Sequence, residues 1–118
     1  ALFLLIILTQ NSSGDLSASF VNTETLQHCQ QKMAMLEAVF KGADIPLVEG
    51  RCIESKLQFT KYDHALLAQK ERYYYLLNFD EQDVKISKTP DLSRCMERLS
   101  VSTKQGRSYC GSSVQSFL

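Results

Sequence analysis

The sequence predicts a mainly α protein, a small single-domain bundle of three to four amphipathic helices with two disulfides. Three observations support this fold class. The chain has 118 residues, which is room for one domain. Apolar residues recur at helical spacing in three segments, and four cysteines are widely spaced along a small chain. With 44% hydrophobic and 22% charged residues, the composition is that of an ordered globular protein.

The chain starts with an unbroken apolar run, Ala1–Leu8, and a polar segment with small residues, Gln10–Gly14, follows it. The run is too short to span a bilayer, which takes roughly 20 apolar residues, but it fits the apolar centre of a secretory signal. We therefore predict that residues 1–14 are a signal peptide and that residues 15–118 form a single disulfide-bonded helical domain, secreted and extracellular. The alternative is that the run is a buried N-terminal strand or helix of a cytosolic domain.

The clearest predicted element is a helix that Asn22 caps and that ends at Gly42. Spacings of three and four residues place its apolar side chains on one face, which is the pattern of an amphipathic helix packed on a core. These side chains are Leu26, Cys29, Met33, Leu36 and Phe40.

Two further helices are predicted nearer the C-terminus. One begins at Asp63 and ends near Phe79, and the other begins at Pro90 and ends at Gly106. The apolar face of the first comprises Leu66, Leu67, Tyr73, Tyr74 and Leu77, and that of the second comprises Leu92, Cys95, Met96 and Leu99.

The remaining segments give weaker patterns. Cys52–Tyr62 fits both a helix and a strand, and we favour a helix because its neighbours are helical. Val84 and Ile86 alternate with polar residues and indicate a short strand. Three consecutive tyrosines, Tyr73–Tyr75, would spread over about 200° of a helix, so that Tyr75 is expected to point outward. The sequence shows no internal repeat.

The four cysteines, Cys29, Cys52, Cys95 and Cys110, read as a disulfide framework. Three connectivities are open. We favour Cys29–Cys52 with Cys95–Cys110, because both loops are then local, and loops of this size contribute about 3 kcal/mol each in the chain-entropy model. Cys29 and Cys95 fall on apolar helix faces, which is typical of buried structural bridges.

Charge and motifs exclude several classes of function. Lys plus Arg and Asp plus Glu number 13 each, so the chain offers no basic footprint for nucleic acid or an anionic membrane. The sequence lacks the common nucleophile, zinc-protease and nucleotide-binding motifs. Its two histidines, His28 and His64, lie far apart. We therefore expect no enzymatic activity, no metal site and no cofactor.

The size of the chain and the order of its cysteines resemble the four-cysteine form of insect odorant-binding proteins. Successive cysteines are separated by 22, 42 and 14 residues, and the first interval is shorter than in that family. The resemblance implies bridges Cys29–Cys52 and Cys95–Cys110.

The leading functional hypothesis is a secreted, non-enzymatic binding protein that carries a small apolar ligand in a helical pocket. The alternative is an extracellular protein–protein interaction or structural protein, either a helical signalling factor or an oligomer such as a homodimer, cross-linked through tyrosine. The ligand pocket of the leading hypothesis is predicted to be lined by Met33, Leu36, Phe40, Leu67, Tyr74, Met96 and Leu99.

Overall fold

The mainly α prediction is wrong, because the protein is mainly β. The computed structural model describes residues 2–11, 14–59, 73–80, 83–100, 107–113 and 115. About half of these residues lie in strands and just over a quarter lie in helices. The described part of the chain forms one curled sheet of six strands, a half-barrel, with two helices packed against it.

The elements follow one another along the chain as β1 (Phe3–Gln10), β2 (Leu16–Thr23), α1 (Leu26–Gly42), β3 (Leu47–Glu54), β4 (Tyr73–Phe79), β5 (Val84–Thr89), α2 (Leu92–Ser100) and β6 (Arg107–Ser113). The strand order in the sheet is β3-β1-β2-β6-β4-β5. Neighbouring strands are antiparallel, except that β2 and β6 run parallel and meet at Ser17 and Ser112.

This topology is one ββαβ unit used twice. In each unit the third strand pairs with the first, which gives the order β3-β1-β2 in one half and β6-β4-β5 in the other. Each unit also has a disulfide from its helix to its third strand, Cys29–Cys52 and Cys95–Cys110. The protein therefore contains a structural repeat that the sequence did not reveal.

The structural repeat is visible in the sequence of two short segments. Thr23–Cys29 and Thr89–Cys95 share threonine, leucine and cysteine at matching positions. The hydroxyl of Thr23 donates to the carbonyl of Phe3 at 3.0 Å, and that of Thr89 donates to Tyr74 at 3.1 Å. In both units the threonine thus ties the second strand to the first just before the helix begins.

The helix caps repeat in the same way. The Thr25 hydroxyl accepts a hydrogen bond from the amide of His28 at 3.0 Å, and the Asp91 carboxylate accepts one from the amide of Arg94 at 2.7 Å. Such caps satisfy amides of the first helical turn that have no partner within the helix. The first predicted helix is confirmed with its cap at Thr25 instead of Asn22. The last predicted helix is confirmed as α2 over Leu92–Ser100, and its predicted end at Gly106 lies outside the described residues.

The N-terminal apolar run forms β1, which lies between β2 and β3. Leu4, Ile6 and Leu8 face the interior of the half-barrel, whereas Leu5 and Ile7 face α1. A strand buried on both faces has no polar alternation, so its sequence is a continuous apolar run. The structure therefore places residues 3–10, assigned above to the signal peptide, in the centre of the first unit.

The interior of the half-barrel is filled by side chains. The ring of Phe20 stacks on that of Phe59 with centroids 3.9 Å apart, and the Tyr75 ring meets both edge-on. The buried members of this inner cluster are Leu4, Ile6, Leu8, Ala18, Phe20, Ile53, Phe59, Tyr75, Leu77, Phe79 and Val84.

Two of the helical predictions are corrected by strands. Tyr73–Phe79 form β4, in which alternate residues, beginning with Tyr75, are buried. Tyr75 is therefore fully buried instead of pointing outward. Cys52 lies in β3, and the residues that follow that strand up to Phe59 are not helical. Asp63, Leu66 and Leu67 lie outside the described residues. The short strand predicted around Val84 and Ile86 is confirmed as β5.

We expect Tyr75 to control the stability of the protein at alkaline pH. Burial, and to a lesser extent the nearby Tyr73, raises the pKa of Tyr75 to about 12, from 10.0. Its neutral hydroxyl donates to the carbonyl of Gln115 at 2.8 Å. Because the folded-state pKa is the higher one, this stabilisation is complete below pH 10 and is lost as the pH rises through 12. The linked loss amounts to about 3 kcal/mol.

The measurement is urea unfolding at pH values from 8 to 12, followed by circular dichroism. Tyr75→Phe should be less stable by about 1 kcal/mol at pH 8, since it lacks the hydrogen bond. It should then lose less stability than the parent chain between pH 10 and 12. Tyr74→Phe, on the opposite face of β4, is the matched control and should keep the parent pH dependence. Equal slopes for all three chains would contradict the role of Tyr75.

Candidate functional site

A groove lies on the helix side of the second unit, between α2 and the sheet, and has a volume of about 640 Å³. Its apolar wall comes mainly from α2, which contributes Leu92, Met96 and Leu99, with Tyr74 of β4 opposite. Leu16 of β2 borders the groove, and its side chain also packs against the inner cluster of the half-barrel. Spacings of four and three residues place the three α2 side chains on one face of the helix. The groove is therefore a concave apolar surface built from both units.

The apolar side chains of α2 are only partly covered. Leu92 is 44% exposed and Met96 is 50% exposed, whereas Cys95 is completely buried. The helix is thus anchored to the sheet through its cysteine, and its larger apolar side chains border the groove. Leu99 is half-buried at the end of the same face.

The groove lies where the described part of α2 is shorter than α1. α1 has 17 residues and α2 has 9. The disulfide-linked cysteines are 23 residues apart in the first unit and 15 apart in the second. The difference of eight residues corresponds to about two helical turns. In the first unit those turns of α1 cover the sheet.

Equivalent positions in the two units show which part of the sheet the described part of α2 leaves uncovered. Gly50 and Ser108 each lie two residues before the third-strand cysteine. A Cβ on Gly50 would lie 3.5 Å from the sulfur of Met33, so α1 packs directly on that part of β3. Ser108 lines the groove instead. Leu99, which lies four residues after its helix cysteine as Met33 does, is the next-to-last residue of α2.

The predicted pocket residues divide into two groups. Tyr74, Met96 and Leu99 come together at the groove. Met33, Leu36 and Phe40 instead pack against Leu5 and Ile7 under α1, where they belong to a filled core. Leu67 lies outside the described residues.

Sequence reasoning missed most of the described residues that line the groove, among them Leu16, Leu92 and Asp15. Leu92 belongs to the predicted apolar face of the last helix but was not assigned to a pocket. Leu16 and Asp15 fall next to the segment assigned to a leader. The available signal was the unequal spacing of the two cysteine pairs, which indicates that one unit has less helix to cover its sheet.

One end of the groove is formed by the turn between β1 and β2. The Asn11 amide donates to the Asp15 carbonyl at 2.9 Å, and the Asp15 amide donates to the side-chain oxygen of Asn11 at 2.9 Å. Gly14 has a φ of 86°, a conformation that favours glycine. These bonds fix the backbone of Asp15, the one charged residue among the described residues that line the groove.

A separate polar cluster brings β3 and β6 together. The Glu49 carboxylate pairs with the Arg107 guanidinium at 2.9 Å and accepts from the Tyr109 hydroxyl at 3.0 Å. Burial, followed by the hydrogen bond to Glu49, raises the pKa of Tyr109. The Arg51 guanidinium also lies 5.5 Å from the centre of the Phe79 ring. These contacts link edge strand β3 to the second unit, so we assign the cluster a structural role.

Both disulfides have the favoured connectivity, and their Cα–Cα distances are 6.0 Å. The helix cysteines, Cys29 and Cys95, are fully buried as predicted. Two such bridges in a small chain indicate an oxidising environment.

Searches of the described residues for two other kinds of site gave negative results. They contain no group of three or more histidine, cysteine, aspartate or glutamate side chains placed to hold a metal ion. Neither α1 nor α2 has the length and apolar character of a membrane-spanning helix. No family model, curated protein or solved structure matches this chain.

Proposed function

We propose that this protein is an extracellular, non-enzymatic binding protein that holds a small apolar ligand in the groove beside α2. The main support is the half-exposed apolar face of α2 along a concavity of about 640 Å³. Pockets for small molecules commonly have volumes of about 300–1,000 Å³ and mostly apolar walls. The two disulfides favour the extracellular location.

The groove also suits binding better than covalent chemistry. Its described lining residues include neither a histidine nor a free thiol, since Cys110 is bonded to Cys95. Their polar groups are mainly hydroxyls and amides, which orient a ligand by hydrogen bonding. The corrected site differs from the predicted one because its walls are a helix and a sheet instead of a bundle of helices.

The proposal is tested by titrating the native protein with a fluorescent apolar probe, and by repeating the titration with Met96→Glu. A carboxylate introduced into the apolar wall would have to be desolvated by the ligand, so we expect affinity to fall at least about tenfold. Met35→Glu is a matched control, because Met35 lies on α1 with 51% exposure, close to that of Met96, and does not line the groove.

Two results would contradict the proposal. One is the absence of saturable binding to the native protein, and the other is equal weakening by Met96→Glu and Met35→Glu. Circular dichroism of both variants shows whether they are folded. If neither binds differently from the parent chain, the probe sits elsewhere on the protein.

The alternative function, a protein–protein contact, predicts Tyr75 or Phe117 at the surface. Tyr75 is fully buried, and Phe117 lies outside the described residues. The exposed large apolar side chains of α1 are Leu26, Met35 and Val39. Met35 and Val39 lie four residues apart on one side of the helix. Size-exclusion chromatography with light scattering distinguishes this alternative. A concentration-dependent dimer that Val39→Glu dissociates would favour it over ligand binding.

A further inference from the structure

We infer that the ligand of the groove is an amphipathic cation, such as an alkyl or aryl amine, whose positive group pairs with Asp15. This inference rests on the proposed function and specifies its ligand class. It begins from the charges along the groove, where Asp15 is the one ionic side chain among the described lining residues. Lysine, arginine and histidine are absent from that lining.

The position of Asp15 indicates where the two ends of such a ligand would lie. The carboxylate lies at the β1–β2 turn, whereas Leu92, Met96 and Leu99 form the α2 wall. An extended molecule in the groove would therefore place an apolar body along α2 and a polar end at the turn. Because the Asp15 backbone is held by two hydrogen bonds with Asn11, the carboxylate is attached to a fixed point.

The neutral polar groups of the groove are compatible with a cationic end. Ser17, Ser112 and the carboxamide of Asn11 line the groove near the same strands as Asp15. Their oxygens can accept hydrogen bonds from an ammonium group. Tyr74 adds an aromatic ring, and the face of such a ring attracts cations.

The same lining disfavours an anionic ligand such as a fatty acid. A carboxylate bound in the groove would meet the negative charge of Asp15, and no cation in the described lining could pair with it. Arginines of α2, Arg94 and Arg98, are exposed and do not line the groove. The charge pattern thus distinguishes an amine from an acid of the same length.

The experiment compares three competitors with the same ten-carbon chain, a primary amine, an alcohol and a carboxylate, each displacing the fluorescent apolar probe. Because Asp15 is exposed, an ion pair there gains at most about 1 kcal/mol, and we expect the amine to bind up to about fivefold tighter than the alcohol. The carboxylate should bind more weakly than the alcohol. Salt at 1 M should reduce these differences.

Asp15→Asn should remove the preference for the amine without weakening the alcohol, since Asp15 holds the turn through its backbone amide and carbonyl, which the substitution keeps. Asp15→Lys should reverse the order of amine and carboxylate. Asp44→Asn is the control for loss of one carboxylate. Asp44 follows α1, lies outside the groove and has a φ of 56°, a conformation that asparagine accepts readily.

The outcomes separate the two proposals. If the probe does not bind to the native protein, the proposed function is overturned and the inference falls with it. If all three bind equally, or if the preference for the amine survives in Asp15→Asn, the inference alone is overturned and the groove remains an apolar site.

Discussion

A chain that begins at Asp15 is expected not to fold. It lacks β1, which pairs along its whole length with β2 and also pairs with β3. Five consecutive aliphatic side chains, Leu4–Leu8, are completely buried in that strand. Their burial corresponds to roughly 10 kcal/mol, which is of the same size as the whole stability of a typical domain, about 5–15 kcal/mol.

The prediction is checked by expressing residues 15–118 and the full chain in an oxidising compartment and comparing circular dichroism and urea unfolding. The full chain should unfold cooperatively and the shortened chain should not. Single substitutions give a matched test. Ile6→Asp should prevent folding, whereas Leu2→Asp, at a residue that is 38% exposed, should be tolerated.

The same result bears on processing at the N-terminus. If β1 is required for folding, the mature protein has to retain residues 3–10, and the intact mass of the native protein should include them. A cooperative, β-rich fold in the chain starting at Asp15, or a native mass that begins there, would contradict this prediction.

Removing the second disulfide is expected to release α2 and abolish the proposed binding of the apolar probe in the groove. Cys95 is the buried residue that anchors this nine-residue helix, and isolated helices shorter than about 12–15 residues are marginal in water. Cys95→Ala with Cys110→Ala should lower the free energy of unfolding by about 3 kcal/mol. Amides of α2 should then exchange with deuterium much faster than those of β4.

The first disulfide provides the comparison. Cys29→Ala with Cys52→Ala should also lower the free energy of unfolding by about 3 kcal/mol. However, α1 remains held by Met33, Leu36 and Phe40, so the groove should still bind the probe in the molecules that stay folded. Equal loss of probe binding in the two double variants, each measured below its unfolding transition, would contradict the distinction.

The parts of the fold that could be predicted depended on local patterns. α1 and α2 have apolar residues at helical spacing and capping residues before their first turns, and both were found in the sequence. The favoured disulfide pairing was also correct, because each bridge closes a loop within one ββαβ unit.

Two strands were hard to recognise because their sequences lack a period of two. β1 is buried on both faces, so its apolar run is the same as that expected in a signal peptide. In β4, Tyr73–Tyr75 fit both a helical pattern and a strand pattern, because tyrosine is tolerated on the half-buried face as well as in the core. The pairing of β4 with β5 and β6 resolves that ambiguity, and such long-range pairing has no local signal.

The lining of the candidate groove was predicted only in part, for a related reason. Tyr74, Met96 and Leu99 were identified because they lie on the apolar faces of two predicted helices, and they line the groove. Their separation from Met33, Leu36 and Phe40 arises because each helix packs on the outer face of its own half of the sheet, which follows from the topology.

The junction between the units has a consequence for assembly. Because β1 and β4 run in the same direction, the units are joined head to tail, and β2 of one meets β6, the third strand, of the other. In a heterologous contact of this kind each unit uses a different surface, so each unit keeps one of the two surfaces unpaired. The described sheet therefore keeps a third-strand edge at β3 and a second-strand edge at β5, which are complementary by the same geometry. Exposed lysines on β5, Lys85 and Lys88, oppose such end-to-end growth, so neutralising them should promote filaments.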